Sequence, residues 1–212
     1  MGITGATGAV YGVRLLARAH KLGFETQLVT TPSDVLNAHQ ELGLDRSGLQ
    51  ALADHAYVPG DIGACLISGS FDSAAPVIAS CTVETLAAIA NGLSDNLLTR
   101  AADVVLKMRR RRLLMVRETP FNLAQLRNMA VVTAVTAVTA MGAIAFPPLP
   151  AFHHRPASID GLVAESVERV MSLVGSLGAV WRPWAGLRSQ PSQGFRFANT
   201  AFGYSGLPRL PL

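Results

Sequence analysis

The stretch GITGATGAVYGVRLL (Gly2–Leu16) decides the fold. Gly2, Gly5 and Gly8 recur every third residue, and apolar residues at Val10, Val13, Leu16 and Ala17 then mark one face of a helix. A glycine turn that feeds a helix lets backbone N–H groups approach an anion at the helix N-terminus. Thr7 adds a hydroxyl. The spacing is Gly-x-x-Gly-x-x-Gly, whereas dinucleotide loops read Gly-x-Gly-x-x-Gly, so a nicotinamide dinucleotide is disfavoured. A purely structural turn accounts for the loop equally well.

Such a loop follows the central strand of a parallel sheet. Here only Met1 to Thr4 precede it. A central strand buries four or five large apolar side chains, each worth about 1.5–3 kcal/mol. Domain stability totals only about 5–15 kcal/mol. The expectation is therefore a truncated first strand, with the natural start upstream of Met1.

Outward from the loop, strand-like and helical segments alternate. Glu25–Thr31 reads as a strand, and Pro32–Leu42 as a helix opening on proline and closed by Gly43. Ser47–Ala53 reads as a short helix, followed by a long loop through Phe71. Ala75–Ser80 is a strand, and Thr82 or Thr85 caps the next helix, which ends near Gly92. Asp95–Met108 is helical, Arg112–Val116 a strand, and Pro120–Met129 starts a helix. GAIAF (Gly142–Phe146) is the last strand, and Ser158 caps a helix over Ile159–Leu177. This alternation predicts an α/β fold: a three-layer flavodoxin- or Rossmann-like sandwich around a mainly parallel sheet. The domain is expected over residues 1–185, with an irregular tail over 186–212.

The composition excludes several classes. Half of the 212 residues are apolar and 15% are charged, which suits a buried core or a subunit of an assembly. The net charge is +4, and much of the excess sits in Arg109–Arg112, read as a solvated turn, and in the tail. No basic face with groove-reading or aromatic partners points to nucleic acid. Two cysteines, Cys65 and Cys81, make no disulfide framework, and no signal peptide is visible, so a cytoplasmic setting is expected. Met129–Phe146 lacks charge but is rich in threonine and contains Gly142; it reads as a buried helix running into a buried strand, not a membrane span. Its repeat, Val132–Ala140, is too short for a solenoid and lengthens one helix. His153 and His154 are adjacent in a loop and lack helical ligand spacing, so no metal is predicted.

Several stretches together resemble the flavin prenyltransferases of the UbiX family. They are GITGATGAVYGVRLL, SCTVETLAAIANGLSDNLLTRAADVVLK, RRLLMVRETPFNL and PPLPAFHHRPASIDGLV, and the likeness runs from Gly2 to about Trp184. The resemblance implies an FMN-binding transferase. It would join a dimethylallyl group from dimethylallyl phosphate to N5 and C6 of reduced FMN, without a metal. The product would serve a UbiD-type decarboxylase in ubiquinone-type metabolism. It also implies a homo-oligomer, commonly a dodecamer, with flavin at subunit contacts.

Residue by residue, the resemblance places Gly5, Ala6 and Thr7 on the flavin-phosphate loop, where serine is usual in place of Thr7. Thr31, the segment Thr82, Val83, Glu84 and Thr85, and Arg117 match flavin-contacting positions. Arg100, Lys107, Glu118 and Arg169 match residues around the dimethylallyl phosphate, and Glu41 a further acidic position. Glu84 stands where lysine is usual. His153 stands where a tyrosine contacts the prenyl phosphate. These types fit the chemistry: fixed cations meet the charge developing on a departing phosphate, and arginine grips it with a fork. Glu118 beside Arg117 can handle a proton. Phe71 and Trp184 are π-rich walls for an allylic cation. Read without the family, Arg100, Lys107 and Arg169 are surface charges and Arg117–Glu118 a structural ion pair. Two other functions stay open: a related flavoprotein decarboxylase acting on a peptidyl cysteine, and a flavin-binding assembly subunit with little catalysis.

Overall fold

Six short strands run parallel in one sheet, in the order β3-β2-β1-β4-β5-β6. They are β1 (Gly2–Ile3), β2 (Gln27–Thr30), β3 (His55–Tyr57), β4 (Val77–Cys81), β5 (Leu113–Val116) and β6 (Ile144–Ala145). The computed structural model describes residues 1–71, 73, 76–108, 110, 112–134 and 142–175. All of these belong to one compact unit, Met1–Arg182. The predicted tail over 186–212, Trp184 and most of the Val132–Ala140 repeat lie outside the described residues.

The helices are α1 (Ala9–Lys21), α2 (Pro32–Leu42), α3 (Arg46–Gln50), α4 (Val83–Ala90), α5 (Leu97–Lys107), α6 (Leu123–Thr133) and α7 (Ile159–Leu173). Their starts follow from capping chemistry. Thr31, Asp45, Thr82, Asn96, Asn122 and Ser158 each accept a hydrogen bond from a backbone N–H of the following turn. Asn96 and Asn122 complete reciprocal capping boxes with Thr99 and Gln125.

Strand β5 shows why there are three layers. Leu113 and Met115 pack on one face with Leu15 of α1 and Val163, Val167 and Val170 of α7. Leu114 and Val116 pack on the other with Leu86 of α4, Leu97 and Leu106 of α5, and Val132 of α6. A parallel strand buried on both faces reads as a continuous apolar run, as LLMV does. Strand β1 pairs with β2 through Gly2↔Val29 and Ile3↔Thr30, and with β4 through Gly2↔Ile78. The strand order reverses direction between β1 and β4, which is where open α/β sheets carry ligands, beyond the strand carboxyl ends.

Two glycines of the opening stretch hold β1, α1 and β4 together. Gly8 has φ +92, a left-handed turn that L side chains resist. A Cβ at Gly12 would stand 2.4 Å from the Ala79 carbonyl oxygen and 2.7 Å from Ile3 Cδ1, so only glycine lets α1 lie this close to the sheet.

Four expectations are corrected. The edge strand β3 falls inside what reads as loop. Arg112 is 2% exposed, not part of a solvated turn, because it leads directly into β5, a strand buried on both faces. The start of Met129–Phe146 is not a buried helix: within α6 only Val132 is buried, because this helix turns its other faces to solvent. The last helix ends at Leu173, with Gly175 left-handed just beyond it.

Candidate active site

The loops that leave the strand carboxyl ends carry most of the predicted residues. After β1, Thr4 anchors the glycine turn. Its hydroxyl donates to the Ser80 carbonyl at 2.8 Å and accepts from the Thr82 N–H at 2.8 Å. Ser80 Oγ donates to the Ala6 carbonyl at 2.7 Å. The turn between β1 and α1 is thus tied to the turn between β4 and α4. Arg117 follows β5, and its backbone N–H reaches the Cys81 carbonyl at 3.2 Å. Its guanidinium Nη2 donates to Thr7 Oγ1 at 3.2 Å. Gly5, Ala6, Thr7, Thr82, Thr85 and Arg117 therefore share the carboxyl end of the sheet.

Glu41 completes this group. It lies in the last turn of α2, and its carboxylate accepts from the Gly8 N–H at 2.9 and 3.0 Å and from the Ala9 N–H at 2.9 Å. The N-terminus of α1 is therefore a working anion cradle: it already holds a carboxylate, with a guanidinium beside it. A flavin phosphate asks for the same donors, so the residues present fit FMN. Thr31 caps α2, accepting from the Asp34 N–H at 3.3 Å. Val83 is half-buried in the first turn of α4, whereas Glu84 is exposed there. Glu118, next to Arg117, is exposed and accepts from the Thr119 N–H at 3.0 Å.

The remaining predicted cations stand apart within one chain. Arg100, in the first turn of α5, faces Asp103 at 3.6 Å, and Lys107 ends the same helix, exposed. Among the described residues, neither hydrogen-bonds to the glycine turn, Thr82–Thr85, Arg117 or Glu118. Arg169 is half-buried on α7, and His153 lies exposed between β6 and α7, near Glu165. Phe71 lines a cavity of about 500 Å³ with Met1, Gly2, Phe24 and Gln27, away from the carboxyl-end loops. Within one chain Phe71 therefore stands apart from the glycine turn, as Lys107 does.

Four residues at the site escape sequence reasoning. Thr4 and Ser80 look like ordinary strand positions. Asn37 Nδ2 donates to the Gly5 carbonyl at 2.7 Å, across 32 positions of sequence, with no local signal. Asp34 is fully buried at the start of α2, and burial pushes its pKa up to about 7. Its carboxyl oxygens make no well-formed hydrogen bond, although the nearby Thr31 backbone and the charge of Arg46 pull the pKa back. Here the signal was present, since Thr-Pro-Ser-Asp at 31–34 has capping-box spacing. Cys81 sits under the site, 0% exposed, its thiol pushed up to about 12 by burial, so it is not a nucleophile.

A parallel sheet with an anion cradle and a guanidinium at its switch point suits a phosphate-bearing ligand, and the Flavoprotein family model matches residues 1–171. The chain belongs to that family and, within it, to the UbiX flavin prenyltransferases. It is 46% identical over 175 residues to the flavin prenyltransferase UbiX of Neisseria meningitidis, covering 82% of this chain and 89% of that one. The crystal structure of AnUbiX (PadA1) with FMN and dimethylallyl pyrophosphate is 39% identical, with a TM-score of 0.81 over 87% of this chain and 95% of that one. A dodecameric FMN-dependent UbiX-like decarboxylase from Escherichia coli O157:H7 is 36% identical, with a TM-score of 0.81 over 87% of this chain and 97% of that one. Among the described residues, no helix is long and apolar enough to cross a membrane.

Proposed function

We propose that this chain transfers a dimethylallyl group from dimethylallyl phosphate to reduced FMN, bonding it at N5 and C6 and releasing phosphate. The observation that carries the reading is the cradle at Gly8 and Ala9, with Arg117 beside it: an anion site at the switch point, on a chain whose relatives are flavin prenyltransferases. In this reading Gly5, Ala6, Thr7, Thr31 and Arg117 hold the flavin phosphate and ribityl chain. Thr82, Val83, Glu84 and Thr85 border the ring.

Arg100, Lys107, Arg169 and His153 bind the phosphate of the prenyl donor and meet the charge that develops on it as the C–O bond breaks. Glu118 and Glu41 manage protons on the departing phosphate and the flavin. The dispersal of Arg100 and Lys107 within one chain supports a site completed by a second copy. So do the exposed side chains of Leu123, Leu126, Leu149, Phe152 and Ile159, apolar groups that a second copy would cover. The assembly is a homo-oligomer, a dodecamer like its Escherichia coli neighbour, and its product goes to a UbiD-type decarboxylase.

Phosphate release tests the reading. Under anaerobic conditions, dimethylallyl phosphate should lose phosphate only when both the protein and reduced FMN are present. Release with oxidised FMN, or without flavin, would contradict flavin prenylation.

A further inference from the structure

A second cluster of chemistry-bearing side chains lies where the chain passes from β6 to α7. His153 and His154 follow one another in the connection, and Glu165 comes from the second turn of α7. Glu165 Oε1 stands 3.8 Å from His153 Nε2 and 3.7 Å from His154 Nε2. One ligand atom from each of the three lies within 4.8 Å of the others. The two imidazole rings sit 4.0 Å apart between centroids, tilted by 50°. The Glu165 side chain is 16% exposed, whereas those of His153 and His154 are 38% and 35% exposed.

The spacing is informative. At 3.7 and 3.8 Å, one carboxylate oxygen faces two imidazole nitrogens without a proper hydrogen bond to either. A tetrahedral Zn²⁺ with bonds of about 2.0–2.2 Å sets its donors about 3.3 Å apart. The glutamate–histidine pairs reach that spacing by closing a few tenths of an ångström. The two histidines, 38% and 35% exposed, reach it by rotation about their side-chain torsions. Two imidazoles in three donors disfavour Mg²⁺ and Ca²⁺, which take oxygen, and suit Zn²⁺.

We propose that His153, His154 and Glu165 form a Zn²⁺ site with its fourth position open to water. The ion joins the connection after β6 to the body of α7 and fixes the orientation of the His153 ring. The site rests on the geometry of these three side chains, and its test reads metal rather than prenyl transfer.

The chain, free of any affinity tag and stripped with EDTA, is titrated with Zn²⁺ by calorimetry, and in parallel with Co²⁺ followed by visible absorption. The expected result is one equivalent per chain, with a Kd at or below about 10 μM. The Co²⁺ complex should show the intense visible bands of a four- or five-coordinate ion. E165Q and H154A should each weaken binding at least tenfold, and H153A/H154A should abolish it. A variant with alanine at His20, His39 and His55, the other three of the five histidines, should bind as the parent does. The proposal is overturned if the parent chain binds no single saturable equivalent, or if H153A/H154A binds undiminished. Should a variant fail to fold, the Co²⁺ spectrum of the parent decides: a weak octahedral spectrum overturns the site.

Discussion

Both oxygens of the Glu41 carboxylate accept a hydrogen bond from the backbone N–H of Gly8, at 2.9 and 3.0 Å. A side chain from the end of α2 thus neutralises the positive end of α1, where a flavin phosphate is proposed to bind. Phosphate and Glu41 compete for the same donors, so the carboxylate has to move aside. E41Q should therefore bind FMN about fivefold more tightly than the parent, the equivalent of about 1 kcal/mol of relieved competition at a helix terminus. Riboflavin, which lacks the phosphate, should bind both alike. Flavin fluorescence quenching measures both; equal FMN affinities would remove the competition from the account.

Arg117 should matter more for the flavin than any other single side chain. Loss of a charge-assisted hydrogen bond to an anion costs about 1.5–3 kcal/mol. R117A should therefore bind FMN roughly 10- to 100-fold more weakly, and R117K should recover only part of this, because lysine lacks the fork. The same titration reads it, and a Kd within threefold of the parent would exclude Arg117 from the phosphate site.

Lys107 separates the two ligands. It ends α5 and, among the described residues, makes no hydrogen bond to the glycine turn, so K107A should leave the FMN Kd within about twofold. The rate of phosphate release should fall about 100-fold or more, as when a transition-state cation is removed. Single-turnover kinetics with preloaded reduced FMN separate the effects. A normal rate in K107A would remove it from the donor site.

Gly12→Ala tests the close approach of α1 to the sheet. The added methyl meets the Ala79 carbonyl oxygen at 2.4 Å, and neither backbone can yield without moving its element. Overpacking of this kind costs about 1–3 kcal/mol. Thermal unfolding of G12A beside the parent should show a clear loss, and an unchanged midpoint would mean that α1 sits farther from β4.

Asp34 gives stability a pH dependence of definite sign. Its carboxyl keeps its proton up to about pH 7 in the folded chain, whereas the reference value is 3.8. Between these values the unfolded chain binds fewer protons, so stability falls as pH rises from about 4 to about 7 and levels off above. The amplitude is on the order of 4 kcal/mol. D34N should flatten that part of the profile, read by denaturant unfolding at several pH values. A parent profile that rises across the window would contradict a buried, neutral Asp34.

Much of this was legible in the sequence for identifiable reasons. Helix α2 matches Pro32–Leu42 because Thr31 caps it, proline opens it and Gly43 closes it, all local signals. Strand β5 was legible because a doubly buried strand is uniformly apolar. Strand β3 was not, because His55–Tyr57 is a short, largely exposed edge strand with no apolar run, defined only by pairing with β2. Arg112 misled because a charge run suggests solvent, while its burial comes from the buried strand it leads into. At the site, the glycine turn announced an anion cradle. The contact of Glu41 with Gly8, and of Asn37 with Gly5, bridges more than thirty positions and exists only once α2 packs beside α1. The approach of Glu165 to His153 and His154 is invisible for the same reason: adjacent histidines in a loop carry no ligand spacing until α7 folds against them.

The mass of the flavin tests the central claim most directly. The purified chain is mixed anaerobically with reduced FMN and dimethylallyl phosphate, and the extracted flavin is weighed by mass spectrometry. The account predicts a flavin heavier by one five-carbon unit, formed with the parent chain and strongly reduced with K107A and R117A. Flavin that binds, stays reduced and is recovered at the mass of FMN would contradict it.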